Sequence, residues 1–164
     1  MAVASREALE ISFGAVNGEL REKNHQVLQP ILFDLIAYAR VLKQLHWNVI
    51  GPNFRPIHLH LDEIYGEAEE ATDLVAERLS AVGHSPNGRV RDVASKSEIG
   101  DIPEGFTRDS EVLLLAEHRT KQVVENIRAH MADIEDVDTV TADLLHQICA
   151  DLEKHHWMLQ AQRV

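Results

Sequence analysis

Hydrophobic positions from residue 57 onward recur at spacings of three, four and seven: Ile57, Leu61, Ile64, Ala68, Val75, Leu79 and Val82. That rhythm is the apolar stripe of an amphipathic helix. A second, polar pattern runs along the same stretch, RPIHLHLDEIYGEAEEATDLVAER, residues 55–78. With roughly 100° per residue and Ile57 at zero, His58, Asp62, Asp73 and Glu77 fall at about 100°, 140°, 160° and 200°, whereas the apolar stripe centres at about 10°. The helix therefore lines up a histidine and three acids on a face turned away from its own core.

The rest of the chain reads the same way. Leu28, Ile31, Leu35, Tyr38, Leu42, Leu45 and Val49 set a heptad-like rhythm for a first helix from about Lys23 to Val49, ended by Gly51 and Pro52. The second helix starts at Pro56, a favoured first-turn residue, and runs to about Val82, with Gly83 closing it. Pro86, Gly88, Gly100, Pro103 and Gly105 break residues 84–106 into a long crossover, inside which Arg89 to Ser97 predicts a short helix. A third helix is expected over about Arg108 to Ile134, with Leu113, Leu114, Val124, Ile127 and Met131 as core. A fourth covers about Val140 to Gln162, with Leu144, Ile148, Leu152, His155 and Leu159 on one stripe. No strand pattern competes. Four long helices joined by a tight, a long and a tight link predict an all-α chain, a ferritin-like four-helix bundle. It forms one domain over residues 23–164, behind an N-terminal leader at 1–22.

Composition narrows the function classes. The 164 residues are 45% hydrophobic and 26% charged, ordinary for a soluble domain with a sizeable core. No apolar run approaches the roughly 20 residues of a membrane span. The N-terminus lacks the basic-then-apolar layout of a signal peptide, and the one cysteine, Cys149, allows no intrachain disulfide, so a reduced, cytoplasmic setting is expected. The net charge of −11 disfavours a general nucleic-acid binder and suits a protein that attracts cations.

That charge balance changes how the second face of the second helix reads. A charged stripe is most often just solvated, but Lys and Arg are absent between Arg55 and Arg78. His58 and Asp62 form one i,i+4 pair, and Asp73 and Glu77 another. Asp62 and Asp73 lie about 16 Å apart along the axis, too far to share one metal within a chain. Two copies packed antiparallel about a two-fold near Gly66, where a glycine permits close backbone approach, would bring one chain's His58 and Asp62 to the other's Asp73 and Glu77. His46, at the end of the first helix and just before the Gly51–Pro52 turn, completes the first half-site. Two imidazoles with carboxylates suit iron, with zinc or manganese as competitors.

At this point the residues match a family. The run LKQLHWNVIGPNFRPIHLHLDEIYGEAEEATDLVAER resembles the signature of the Dps proteins, the dodecameric mini-ferritins, and DLEKHHW resembles the family's closing helix. The resemblance implies a shell of twelve subunits with a ferroxidase site at each dimer interface. Its ligands would be His46, His58 and Asp62 from one chain and Asp73 and Glu77 from the other. Trp47 would lie beside the site to intercept radicals, although an aromatic packed at a helix end fits the sequence equally. Fe(II) would be oxidised, with hydrogen peroxide preferred to dioxygen, and stored as ferric mineral without an organic cofactor. Iron would enter through acidic three-fold pores, for which ADIEDVDTVTADLL supplies Asp138 and Asp143. The competing reading is that these acids favour the N-terminus of the last helix.

One departure concerns DNA. Many Dps proteins bind it through mobile, Lys-rich tails, but here Arg6, Arg21 and Lys23 face Glu7, Glu10, Glu19 and Glu22, and the C-terminus stops at QAQRV. Weak or absent DNA binding is expected, in the cytoplasm with the nucleoid as the alternative setting. The rival readings are a DNA-compacting shell in which metal is secondary, a helical bundle holding zinc at the same ligands, and a ferritin or di-iron oxidase with metals inside the bundle. The last wants inward Glu-x-x-His motifs. Glu22–His25 and Glu153–His156 have that form, but the first helix offers only Asp34 as an acid between Lys23 and Val49. The remaining histidines, including His60, His84, His118 and His130, read as surface or packing residues.

Overall fold

The structure, a computed structural model, describes residues 14–163. Four long helices build it: α1 (Gly18–Asn48), α2 (Phe54–Ala81), α4 (Asp109–Met131) and α5 (Thr139–Ala161). The short α3 (Val90–Lys96) lies in the crossover between α2 and α4. The all-α, ferritin-like bundle expected from the hydrophobic pattern is the fold observed. Every position of the α1 and α2 stripes named above is buried. Leu114 and Leu144, expected in the core, are only half-buried.

Three local features refine the expectation. First, α1 begins five residues earlier than Lys23, because the Asn17 side chain accepts a hydrogen bond from the Leu20 N–H at 2.9 Å and caps the helix. Residues 18–22 of the expected leader are thus helical, while residues 1–13 lie outside the described residues. Second, α1 runs through Pro30. Proline removes the N–H that would have met the Gln26 carbonyl, and Gln26 is exposed, so water can replace that bond. Third, a two-residue parallel ladder pairs β1 (Val49–Ile50) with β2 (Thr107–Arg108), with Val49 opposite Thr107. It ties the end of α1 to the start of α4.

Buried polar groups fasten the crossover and the bundle ends. Asp34, 3% exposed, accepts hydrogen bonds from Ser97 Oγ, the Glu98 N–H and Asn126 Nδ2. The only acid on α1 between Lys23 and Val49 is thereby spent on structure, which removes a ligand that an intra-bundle metal site would need. On the α2–α5 side, the Gln162 amide donates to His60 Nδ1 at 2.8 Å, and His60 Nε2 faces His155 Nδ1 at 3.1 Å. His155 Nε2 in turn lies 2.8 Å from Glu67 Oε2. Because an amide N–H can only donate, this sequence of contacts places the His60 proton on Nε2 and that of His155 on its own Nε2. Burial, then the neighbouring His155, lower the His60 pKa and keep it neutral.

Candidate metal centre

The turn between α1 and α2 is what brings His46 to His58. Gly51 adopts φ 137°, which side-chain-bearing residues rarely reach, and a Cβ there would stand 2.6 Å from the Asp109 carboxylate. Asp109 occupies that space because it accepts the Asn53 N–H at 2.8 Å, clamping the turn to the start of α4. The Asp109 pKa is lowered, first by that backbone hydrogen bond, so the clamp is ionised at neutral pH.

Across this turn the two imidazoles stack with centroids 3.6 Å apart and planes at 20°. Each ring donates its Nδ1–H to the other residue's main chain: His46 Nδ1 lies 2.8 Å from the His58 carbonyl, and His58 Nδ1 lies 3.0 Å from the His46 carbonyl. A carbonyl only accepts, so each ring keeps a proton on Nδ1, and in its neutral form each leaves the Nε2 lone pair free. That is the arrangement in which backbone groups orient imidazoles as metal ligands. Phe54 stacks on the far side of His58 at 4.9 Å.

Asp62 joins this pair, with Oδ1 3.7 Å from His46 Nδ1. It is also ion-paired with Lys43, one helical turn before His46 on α1. Lys43 Nζ sits 4.5 Å from the Tyr65 ring centre, and Arg40 flanks the same ring while pairing with Glu69. The Asp62 pKa is lowered, chiefly by the Lys43 hydrogen bond, with His46 and His58 adding to the effect. Lys43 was not among the residues singled out from the sequence. A lysine on a helix surface has many ordinary explanations, and only its i,i+3 spacing from His46 points to the site.

The other predicted ligands lie elsewhere. Asp73 and Glu77 are exposed on the outer face of α2, about 16 Å and more along the axis from Asp62, and do not meet the histidines within the chain. Gly66 lies between the two groups, and a Cβ there would meet nothing. Trp47, next to the end of α1, is 65% exposed, so its own chain leaves most of the ring uncovered. Phe54, Leu59 and Leu74 are also exposed nearby on α2, which leaves an apolar rim around the polar face.

Of the acids expected at a pore, Asp143 is exposed and Asp138 is 7% exposed. Asp138 caps α5, accepting from the Val140 and Thr141 N–H groups, and its Oδ2 takes bonds from Arg78 at 2.8 Å and Asn24 at 2.9 Å. Its geometry meets the helix-cap reading directly.

Among the described residues, one set of ligand-type side chains has its donor atoms within 4.8 Å of one another, and it lies at the opposite end of α2: Glu22, His25 and His84. The Glu153–His156 motif is not assembled in this way. Glu153 pairs with Arg128, and His156 Nε2 lies 3.9 Å from Glu117.

Comparison with known proteins now has geometry to rest on. A family model described as a ferritin-like domain matches residues 26–164. The chain is 34% identical over 147 residues to a DNA protection during starvation protein of Deinococcus radiodurans, covering 90% of this chain and 61% of that one. It is 36% identical over 128 residues to the DNA protection during starvation protein of Brevibacillus brevis, covering 77% and 85%. The solved structure of Dps from Microbacterium arborescens in a high iron form aligns with a TM-score of 0.86 at 28% identity, over 92% of this chain and 98% of that one. The chain thus spans less than two thirds of the Deinococcus protein but nearly all of the Microbacterium one.

Proposed function

The chain belongs to the Dps family of ferritin-like proteins, and on that premise we propose that it is a ferroxidase: it oxidises Fe(II) at sites shared between two subunits. The observation that carries this reading is the locked pair of imidazoles, His46 and His58, each held through Nδ1 with Nε2 left free, together with the Asp62 carboxylate 3.7 Å from His46 Nδ1. Two nitrogens and a carboxylate suit ferrous iron as substrate, and added carboxylates favour the ferric product. Asp73 and Glu77 of a second chain, turned outward on the same face, complete the set. With peroxide as oxidant, two Fe(II) each give up one electron, the O–O bond breaks, and two protons are taken up to leave two waters. Trp47, next to His46 in sequence and exposed, would donate an electron to any stray radical. The protein assembles as a homododecamer, stores the ferric product inside and limits oxidative damage. Asp138 and Asp143 serve the iron-admitting pore. The net charge of −11 per chain supports weak or absent DNA binding and a cytoplasmic role.

The test is anaerobic Fe(II) loading of the full chain followed by peroxide, reading ferric absorbance beside a His58→Ala/Asp62→Ala variant. Fast oxidation to a soluble ferric product is expected for the natural chain, with at least about a tenfold slower rate in the variant. Equal rates would overturn the site assignment.

A further inference from the structure

A second cluster of metal-ligating side chains lies at the far end of the bundle, apart from the residues used above. Glu22 and His25 are spaced i,i+3 in the opening turns of α1 and so share one face of that helix. His84 comes from the opposite direction. It follows Gly83, whose φ of 93° ends α2, and its N–H bonds the Leu79 carbonyl at 2.9 Å while the Gly83 N–H bonds that of Ser80. This six-to-one closure is the Schellman turn, and it throws His84 back across the helix end toward α1.

The meeting is close. The His25 and His84 rings stack with centroids 4.3 Å apart and planes at 20°. His84 Nε2 is shielded from solvent, has no hydrogen-bond partner among the described residues, and has Glu22 Oε2 as a neighbour at 3.6 Å. One donor atom from each of the three residues lies within 4.8 Å of the others. A tetrahedral ion with bonds of about 2.0–2.1 Å needs its ligand atoms about 3.4 Å apart, a difference that side-chain rotation covers.

We propose that Glu22, His25 and His84 form a binding site for a divalent transition-metal ion of borderline softness, separate from the ferroxidase ligands. Two imidazoles and one carboxylate leave positions for water, a set that serves Zn2+ and Fe2+ alike. What sets this cluster apart is convergence: among the described residues it is the set of three ligand-type side chains whose donor atoms lie within 4.8 Å of one another, and a cation would give the His84 nitrogen its partner.

The probe is Co2+, whose visible absorption reports its coordination. The full chain carrying His58→Ala/Asp62→Ala, which disables the other site, is titrated at neutral pH without oxidant. One Co2+ per chain is expected to remain bound. Adding His84→Asn to this background should weaken that binding at least about tenfold, and Glu22→Gln should weaken it less. Glu22 is exposed, so Glu22→Gln still decides the matter if the His84 variant loses its helical circular dichroism. Displacement of Co2+ by Zn2+ or by Fe2+ tells which ion the site prefers. Absence of bound Co2+ in the background protein, or binding unchanged by both variants, would overturn the proposal. Since iron oxidation is not the readout, failure of the ferroxidase reading leaves this result interpretable.

Discussion

Lys43 is the residue that most changes the picture of the proposed ferroxidase ligands. Its ammonium already neutralises the Asp62 carboxylate, so an Fe(II) arriving at the proposed site would compete with it. Both groups are partly solvated, and the exchange is therefore modest in free energy. Replacing Lys43 by Gln keeps the length of the side chain and removes its charge. Affinity for Co2+ at this site should rise a few-fold, to at most about tenfold, as measured by equilibrium titration of the Lys43→Gln chain against the natural one. Unchanged or weaker binding would mean that Lys43 orients Asp62 rather than competing for it. At this scale the sequence is informative about donor types and blind to partners. His46, His58 and Asp62 are legible because helical periodicity and a short turn place them. Lys43 is not, since its contact depends on how α1 and α2 pack.

At the scale of elements, the ends of helices carry the polar joints. Asp138 links three of them: it caps α5, pairs with Arg78 of α2 and accepts from Asn24 of α1. Burial alone would raise its pKa, but the hydrogen bonds from Asn24, Thr141 and Arg78, with the guanidinium charge, outweigh this and hold it below the usual carboxylate range. A carboxyl whose pKa is lower in the folded chain stabilises that chain at neutral pH. The contribution is lost as pH falls below the unfolded value of about 3.9 and through the lowered native one. Asp138→Ala removes the cap and strands Arg78, which should cost on the order of 2 kcal/mol in urea denaturation at pH 7. The difference from the natural chain should shrink as the pH is lowered toward 3. If Asp138→Ala slows iron uptake at unchanged stability, the pore reading gains instead. The start of α1 teaches a similar lesson. Asn17 is a good cap residue and was legible in principle, but the glutamates and arginine after it read equally as a leader.

For the whole molecule, the single chain leaves a face unfinished. Leu59, Asp62, Asp73 and Glu77 lie on the outer side of α2, and Leu59 is 43% exposed. Gly66 lies among them with open space in front of it. Within one chain, Gly66→Leu should improve helix stability by roughly 0.5–1 kcal/mol, because glycine is a poor helix former. Across a two-fold contact it would clash. Mass photometry should therefore find the natural chain near twelve copies of 18.5 kDa, and the Gly66→Leu chain as smaller species with undiminished helical content. Persistence of the full assembly in that variant would remove the shared-site arrangement from consideration.

Periodicity and breakers determined from the sequence alone that this is a four-helix bundle with a long crossover and an acidic, histidine-bearing second face on α2. Each of those follows from local spacing: an apolar stripe must find a core, and a turn must follow Gly51. Packing between distant segments decided the rest. The Nδ1 hydrogen bonds that free both Nε2 atoms, the Lys43–Asp62 pair, the use of Asp34 and Asp138 as fasteners, and the meeting of His84 with Glu22 and His25 all join residues from different elements. Such contacts depend on how far each helix is rotated about its axis and where each chain reversal lands. Those quantities are settled when the side chains pack, and no single stretch of sequence carries them.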